Sequence, residues 1–141
     1  MISISYGITV CNELTEIAVL IDTLKDKLRE NDEIVIQYDE DSVTEAVSEY
    51  LKIMKNMHKD FIKVVGFSLN KDFASYKNNL KKHCTKEYIF QIDADEIPAE
   101  HLIDNIHDIL SSNAVDLIYL PRVNTVEGLT KSHIDKWRWN V

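Results

Sequence analysis

Four times in succession, a short run rich in β-branched and aromatic residues precedes a window whose apolar residues recur every three to four positions. "ISYGITV" (4–10) is the first such run, and Leu14, Ile17, Ala18, Ile21, Leu24 and Leu28 behind it predict a helix over 14–30. "DEIVIQY" (32–38) predicts a second strand. Ser42 with Glu45 three residues on has the form of a capping box, and Val43, Ala46, Val47, Tyr50 and Met54 give the helix behind it an apolar face. "FIKVVGF" (61–67) is the third strand, after which Asp72 caps a helix turning Phe73, Tyr76, Leu80 and Cys84 inward. "EYIFQI" (87–92) is the fourth. Pro98 suits the first turn of a helix burying Leu102, Ile103, Ile106, Ile109 and Leu110, and "DLIYLPRV" (116–123) predicts a fifth strand. This alternation is the pattern of βαβ units, so the predicted fold is α/β, a three-layer sandwich around a mostly parallel sheet.

With 141 residues, only three Gly and two Pro, and no repeat or low-complexity tract, the chain reads as a single domain over 1–141. Its apolar ending, "KWRWNV", leads us to expect that the natural chain or a partner continues there, and makes self-association an expectation. Twenty-four acids against 16 bases give a formal charge of -8, which disfavours nucleic acid and anionic lipid surfaces as partners. A small anionic ligand remains compatible when a divalent cation accompanies it. Cys11 and Cys84 are too few for a disulfide framework and form no zinc-type spacing with the five His. No leader pattern and no apolar window long enough to span a bilayer occurs, so a soluble, cytoplasmic protein is expected.

Three predicted strands finish in polar residues: the first in Asn12 and Glu13, the second in Asp39 and Asp41, the fourth in Asp93 and Asp95. In a doubly wound sheet these ends gather on one edge, beside the crevice where ligands bind. D-x-D alone is a weak signal, since "DED" at 39–41 repeats it. The pair at 93 and 95 follows a strand directly, and on extended backbone both side chains share a face and can share a cation. Mg²⁺ or Mn²⁺ held by one or two carboxylates and a substrate's phosphates matches that geometry. The alternative is a solvated loop and helix start whose acids favour the helix dipole, which suits Glu96.

These residues resemble the nucleotide-sugar-dependent glycosyltransferases of the GT-A fold, in particular the large inverting family two. "ISYGITVCNE" looks like that family's opening strand, "EIVIQYDEDS" like its second, and "NKDFASYKNNLKKHCTKEYIFQIDADE" like the helix and strand that run into its acidic motif. The resemblance implies a sugar nucleotide donor, UDP-linked in most cases, an acceptor hydroxyl, and Mn²⁺ or Mg²⁺. It implies that Asp39 contacts the base, that Asp93 lies near ribose and uracil, that Asp95 binds the metal, and that Ala94 lies between them in the motif. Lys77 and Asn78 match positions lining the donor site, and Val10, Cys11, Asn12 and Glu13 flank the nucleotide. Tyr38, Asp39 and Glu40 depart from the usual pair of Asp and a Gly. The chain also stops soon after the fifth predicted strand, so the resemblance covers the donor half and leaves the acceptor part and its general base outside.

Several other residues have two readings. His133 suits a late metal or diphosphate contact, or a surface position; Arg122 suits phosphate, or solvent. Trp137 and Trp139 suit stacking on a ligand or packing. His101 and His107, six apart on one helix, fall on different faces. Cys11 has no activating neighbour in sequence and reads as a small core residue. A catalytically incomplete nucleotide-binding module is the alternative to an enzyme. A haloacid-dehalogenase phosphatase is disfavoured because "DADEI" falls on the fourth strand, and a receiver domain because Cys11, Asn12 and Glu13 replace most of its first acidic cluster.

Overall fold

The computed structural model describes residues 1–124 and 127–137. The elements run β1 (Ile4–Val10), α1 (Leu14–Lys25), β2 (Glu33–Asp39), α2 (Glu45–Met57), β3 (Ile62–Phe67), α3 (Phe73–His83), β4 (Tyr88–Asp93), α4 (Glu100–Ser112) and α5 (Lys131–Trp137). The strands form one parallel sheet in the order β3-β2-β1-β4. The chain moves outward from β1 to β3, then returns to the far side of β1 with β4. In parallel sheets such a reversal sets the ligand crevice, here beyond the carboxyl ends of β1 and β4.

Alternation along β1 sorts the two faces of the sheet. Ile4, Tyr6, Ile8 and Val10 enter one core with Ile34 and Ile36 of β2, Leu20, Ile21 and Leu24 of α1, Leu51 of α2 and Ile103 and Ile106 of α4. Ser5, Gly7 and Thr9 take the opposite face, against which α3 buries Tyr76 and Leu80. Helix α3 packs close there, since a Cβ at Gly7 would stand in contact, 3.4 Å from both Cys84 Sγ and Leu80 Cδ2. The predicted three-layer α/β arrangement is therefore the observed one.

Local departures have local causes. Helix α1 stops at Lys25 rather than residue 30, because Asp32 draws the chain into a turn by accepting from Arg29 N. Thr44, not Ser42, caps α2, accepting from Val47 N at 3.5 Å; Ser42 N and Val43 N instead bond to Asp39 O, which delays the helix. Phe73, the first residue of α3, is 66% exposed rather than turned inward. Helix α4 begins at Glu100 behind Ala99, so Pro98 precedes the helix, and Ile109 stays partly exposed. Residues 116–123 form no strand. Only Ile118 there packs against the core, while Leu117, Tyr119 and Val123 face solvent and β4 remains an edge.

Two buried carboxylates seal the amino ends of the strands. Asp32 accepts from Ile4 N at 2.8 Å and lies 2.9 Å from His107 Nε2, fastening α4 to β1 and leaving His101 on the solvent face. Glu33 takes Ser5 Oγ, Thr85 N and Lys63 Nζ, each at 2.6 Å. Burial alone would raise the Glu33 carboxyl, but these donors outweigh it and hold the group down at about 2.

Candidate functional site

At the carboxyl edge, the last residue of β4 faces the penultimate residue of β1: Asp93 is in register with Thr9. Lys77 reaches this pair from the second turn of α3. Its Nζ donates to Asp93 Oδ1 at 2.6 Å and to Thr9 Oγ1 at 3.0 Å, and Thr9 Oγ1 donates to the same carboxylate oxygen at 2.8 Å. Partial burial pushes the Asp93 carboxyl up, yet Lys77 and Thr9 pull harder and leave it below its ordinary value. The result is an ionised carboxylate at the mouth of the crevice, with 47% of its side chain exposed.

Asp39 ends β2 and is almost fully buried. Its Oδ1 accepts from Leu69 N at 3.0 Å and from Asp41 N at 3.3 Å, and the Leu69 bond above all depresses its carboxyl. The β3–α3 loop it holds contains two consecutive left-handed residues, Asn70 (φ 41°) and Lys71 (φ 59°). Such backbone costs on the order of 1 kcal/mol per residue and persists where neighbours enforce it, here Asp39, the Ser68–Asp41 hydrogen bond and the Asp72 cap on Ser75 N.

Asp93 and Asp95 do not share an extended face. Ala94 N still bonds to Thr9 O at 3.0 Å, but the chain then turns, closed by Glu96 N to Asp93 O at 2.9 Å. Ala94 is buried and Asp95 exposed at the tip. Glu96 sits four residues ahead of α4, too far to favour its start. Its carboxylate instead accepts from Asp93 N at 3.0 Å and pairs with Arg122, which brings Arg122 to this edge.

The other expected residues divide. Val10 lies at the edge but its side chain is in the core. Glu13 turns back to accept from Cys11 N and Asn12 N at 2.8 and 3.0 Å, so it shapes the β1–α1 turn, while Asn12 is exposed. The Cys11 thiol lies 3.4 Å from Ser42 O and is pushed up by burial, Glu13 and Asp39, so it is no nucleophile. Asn78 is exposed; its neighbour Asn79 turns inward and donates to Gln37 Oε1 at 2.8 Å, and Gln37 Nε2 donates to Tyr76 O at 2.8 Å. His133 stacks on Trp137 with centroids 5.0 Å apart and contacts Thr130. Trp139 lies outside the described residues.

Sequence reasoning missed Thr9 and Gln37. The available signal was a polar side chain on an otherwise apolar strand, on the face opposite the core. Among the described residues no cluster of three or more His, Cys, Asp or Glu forms, and no helix is long and apolar enough to cross a membrane.

Comparison with curated proteins finds no match. The family model described as Glycosyl transferase family 2 matches residues 5–140, all four strands but for Ile4, and the chain belongs to that family.

Proposed function

We propose that the crevice beyond β1 and β4 binds a nucleotide diphosphate sugar, UDP-linked, and that the sugar passes with inversion to an acceptor hydroxyl. Membership of the family carries the reaction class, glycosyl transfer from a nucleotide-sugar donor. The observation supporting the donor site is the Thr9–Asp93–Lys77 cluster at the strand reversal, beside buried Asp39. Asp39, ionised and held by Leu69, is suited to accept an N–H from the base. Asp93 can accept a ribose hydroxyl on the half of its carboxylate that faces solvent. Lys77, already poised between hydroxyl and carboxylate, can turn its ammonium to a phosphate oxygen.

Asp95 fits Mn²⁺ or Mg²⁺. Its carboxylate is exposed at the turn tip and has no partner among the described residues, whereas Glu13, Asp93 and Glu96 are engaged. Such ions take one or two carboxylates and complete their shell with water and phosphate, so no three-residue cluster is required. When bound, the ion would neutralise the departing diphosphate. Calorimetry with UDP, with and without Mn²⁺, is the test: Mn²⁺ should strengthen binding in the parent and not in Asp95→Ala. An unchanged Mn²⁺ effect in that variant would remove Asp95 from the assignment.

One observation favours a second reading, donor binding without turnover. The Glu13 and Glu96 carboxylates, which follow β1 and β4, are turned onto backbone N–H groups and so are poorly placed to deprotonate an acceptor. Transfer or donor hydrolysis by residues 1–141 would eliminate it.

A further inference from the structure

Nine of the 16 Lys and Arg fall within residues 52–86, against two acids there, Asp60 and Asp72, so a chain of charge -8 carries one strongly cationic sector. The fold gathers four of those nine lysines at one place. Lys55 and Lys59 from the end of α2, Lys63 from the edge strand β3, and Lys82 and His83 from the end of α3 line one groove with Ile62, Val64 and Val65. Lys63 is committed to Glu33, and the others are not neutralised by any described ion pair. Both helices run antiparallel to the strands, so this surface lies toward the amino ends, away from the donor crevice.

Beside the lysines, α2 exposes two large apolar side chains, Ile53 (52%) and Met57 (65%). Four residues apart, they stand on one flank of the solvent face, while Lys52 and Lys55 occupy the other and Lys59 follows just past the helix end. From Leu51 to Lys59 the helix and its end carry no acid; the acids of α2, Glu45 and Glu49, lie in its first half, and Asp60 follows Lys59. Lysines with protruding apolar side chains on one exposed helical face are what an anionic bilayer surface recognises: the cations meet the headgroups and the apolar side chains enter the boundary below them. An extended acidic peptide would pair with the lysines but leave Ile53 and Met57 in water.

We propose that the α2–β3–α3 flank docks the protein on anionic phospholipid surfaces, with the donor crevice facing solvent. Net charge opposes long-range approach, but within a Debye length of the surface the local sector dominates. The test is flotation of the full chain with phosphatidylcholine vesicles, with and without phosphatidylglycerol, at low and high salt. Binding should require phosphatidylglycerol and fall with salt. K52E/K55E/K59E should lower partitioning by about a hundredfold or more. Ile53→Ser with Met57→Ser should remove the part that survives high salt, and both variants should keep parental circular dichroism and UDP affinity. Equal binding to neutral vesicles, or parental binding by the folded triple-lysine variant, would overturn the assignment. Capture of poly-glutamate through the same lysines without vesicle binding would also overturn it and give the flank to an acidic protein.

Discussion

The two ends of β1 are built from the same parts and do different things. At the amino end, Ser5 and Lys63 serve Glu33; at the carboxyl end, Thr9 and Lys77 serve Asp93. Both sets lie on the α3 face, and each joins a hydroxyl, a carboxylate and an ammonium. They differ in the access of the carboxylate to water, while the lysines run the other way, Lys63 being the more exposed of the two. The Glu33 side chain is 4% exposed and Thr85 closes its remaining valence, whereas Asp93 is 47% exposed. A sealed cluster can only hold strands together. An open one can exchange its internal partners for those of a ligand at little cost, because solvent already screens it.

The largest effect should come from the sealed cluster. Glu33→Gln removes the charge that holds Ser5 Oγ and Thr85 N, while half-exposed Lys63 turns to water, and should cost about 2 kcal/mol in denaturant unfolding. A loss as small as that of a surface pair would mean that the two ends are energetically alike. The comparison sharpens in acid. The folded Glu33 carboxyl lies at about 2, below its ordinary 4.5, so its contribution is full above about pH 4.5 and fades as pH falls toward 2. Over that window, the unfolding free energy of Glu33→Gln should fall less steeply than that of the parent. The smallest effect should come from the open cluster: Lys77→Met should change stability by about 0.5 kcal/mol. The same change should weaken UDP binding by about tenfold. A stability loss matching Glu33→Gln would make Lys77 a structural residue and remove it from the donor site.

Much of the fold was legible because each element carries its own pattern: alternation in β1, helical spacing in α1, the Asp72 cap on α3. The failures came where an outcome depended on something distant. Residues 116–123 have strand composition but gain no ladder, which composition cannot reveal. The Asp39 and Asp93 ends were legible as polar strand termini on one edge; Thr9 as their partner was not, since the pairing spans 84 residues. Asn78 and Asn79 differ by one helical step, about 100°, and only the packing of α3 shows which of them faces β2. Glu96 read as a helix-start acid because Pro98 suggested a helix beginning before Ala99.

Gln37 lies inside β2, two residues short of the Asp39 end, yet it grips α3 by the Tyr76 carbonyl and the Asn79 amide. Lys77 follows Tyr76 directly. The reach of the only lysine at the crevice mouth, among the described residues, is thus calibrated one strand away by a single amide, so the helix cannot slide along its axis without breaking two bonds. Variation at Gln37 would therefore reach the site through Lys77 as well as through stability, and a screen confined to crevice-lining residues would overlook it.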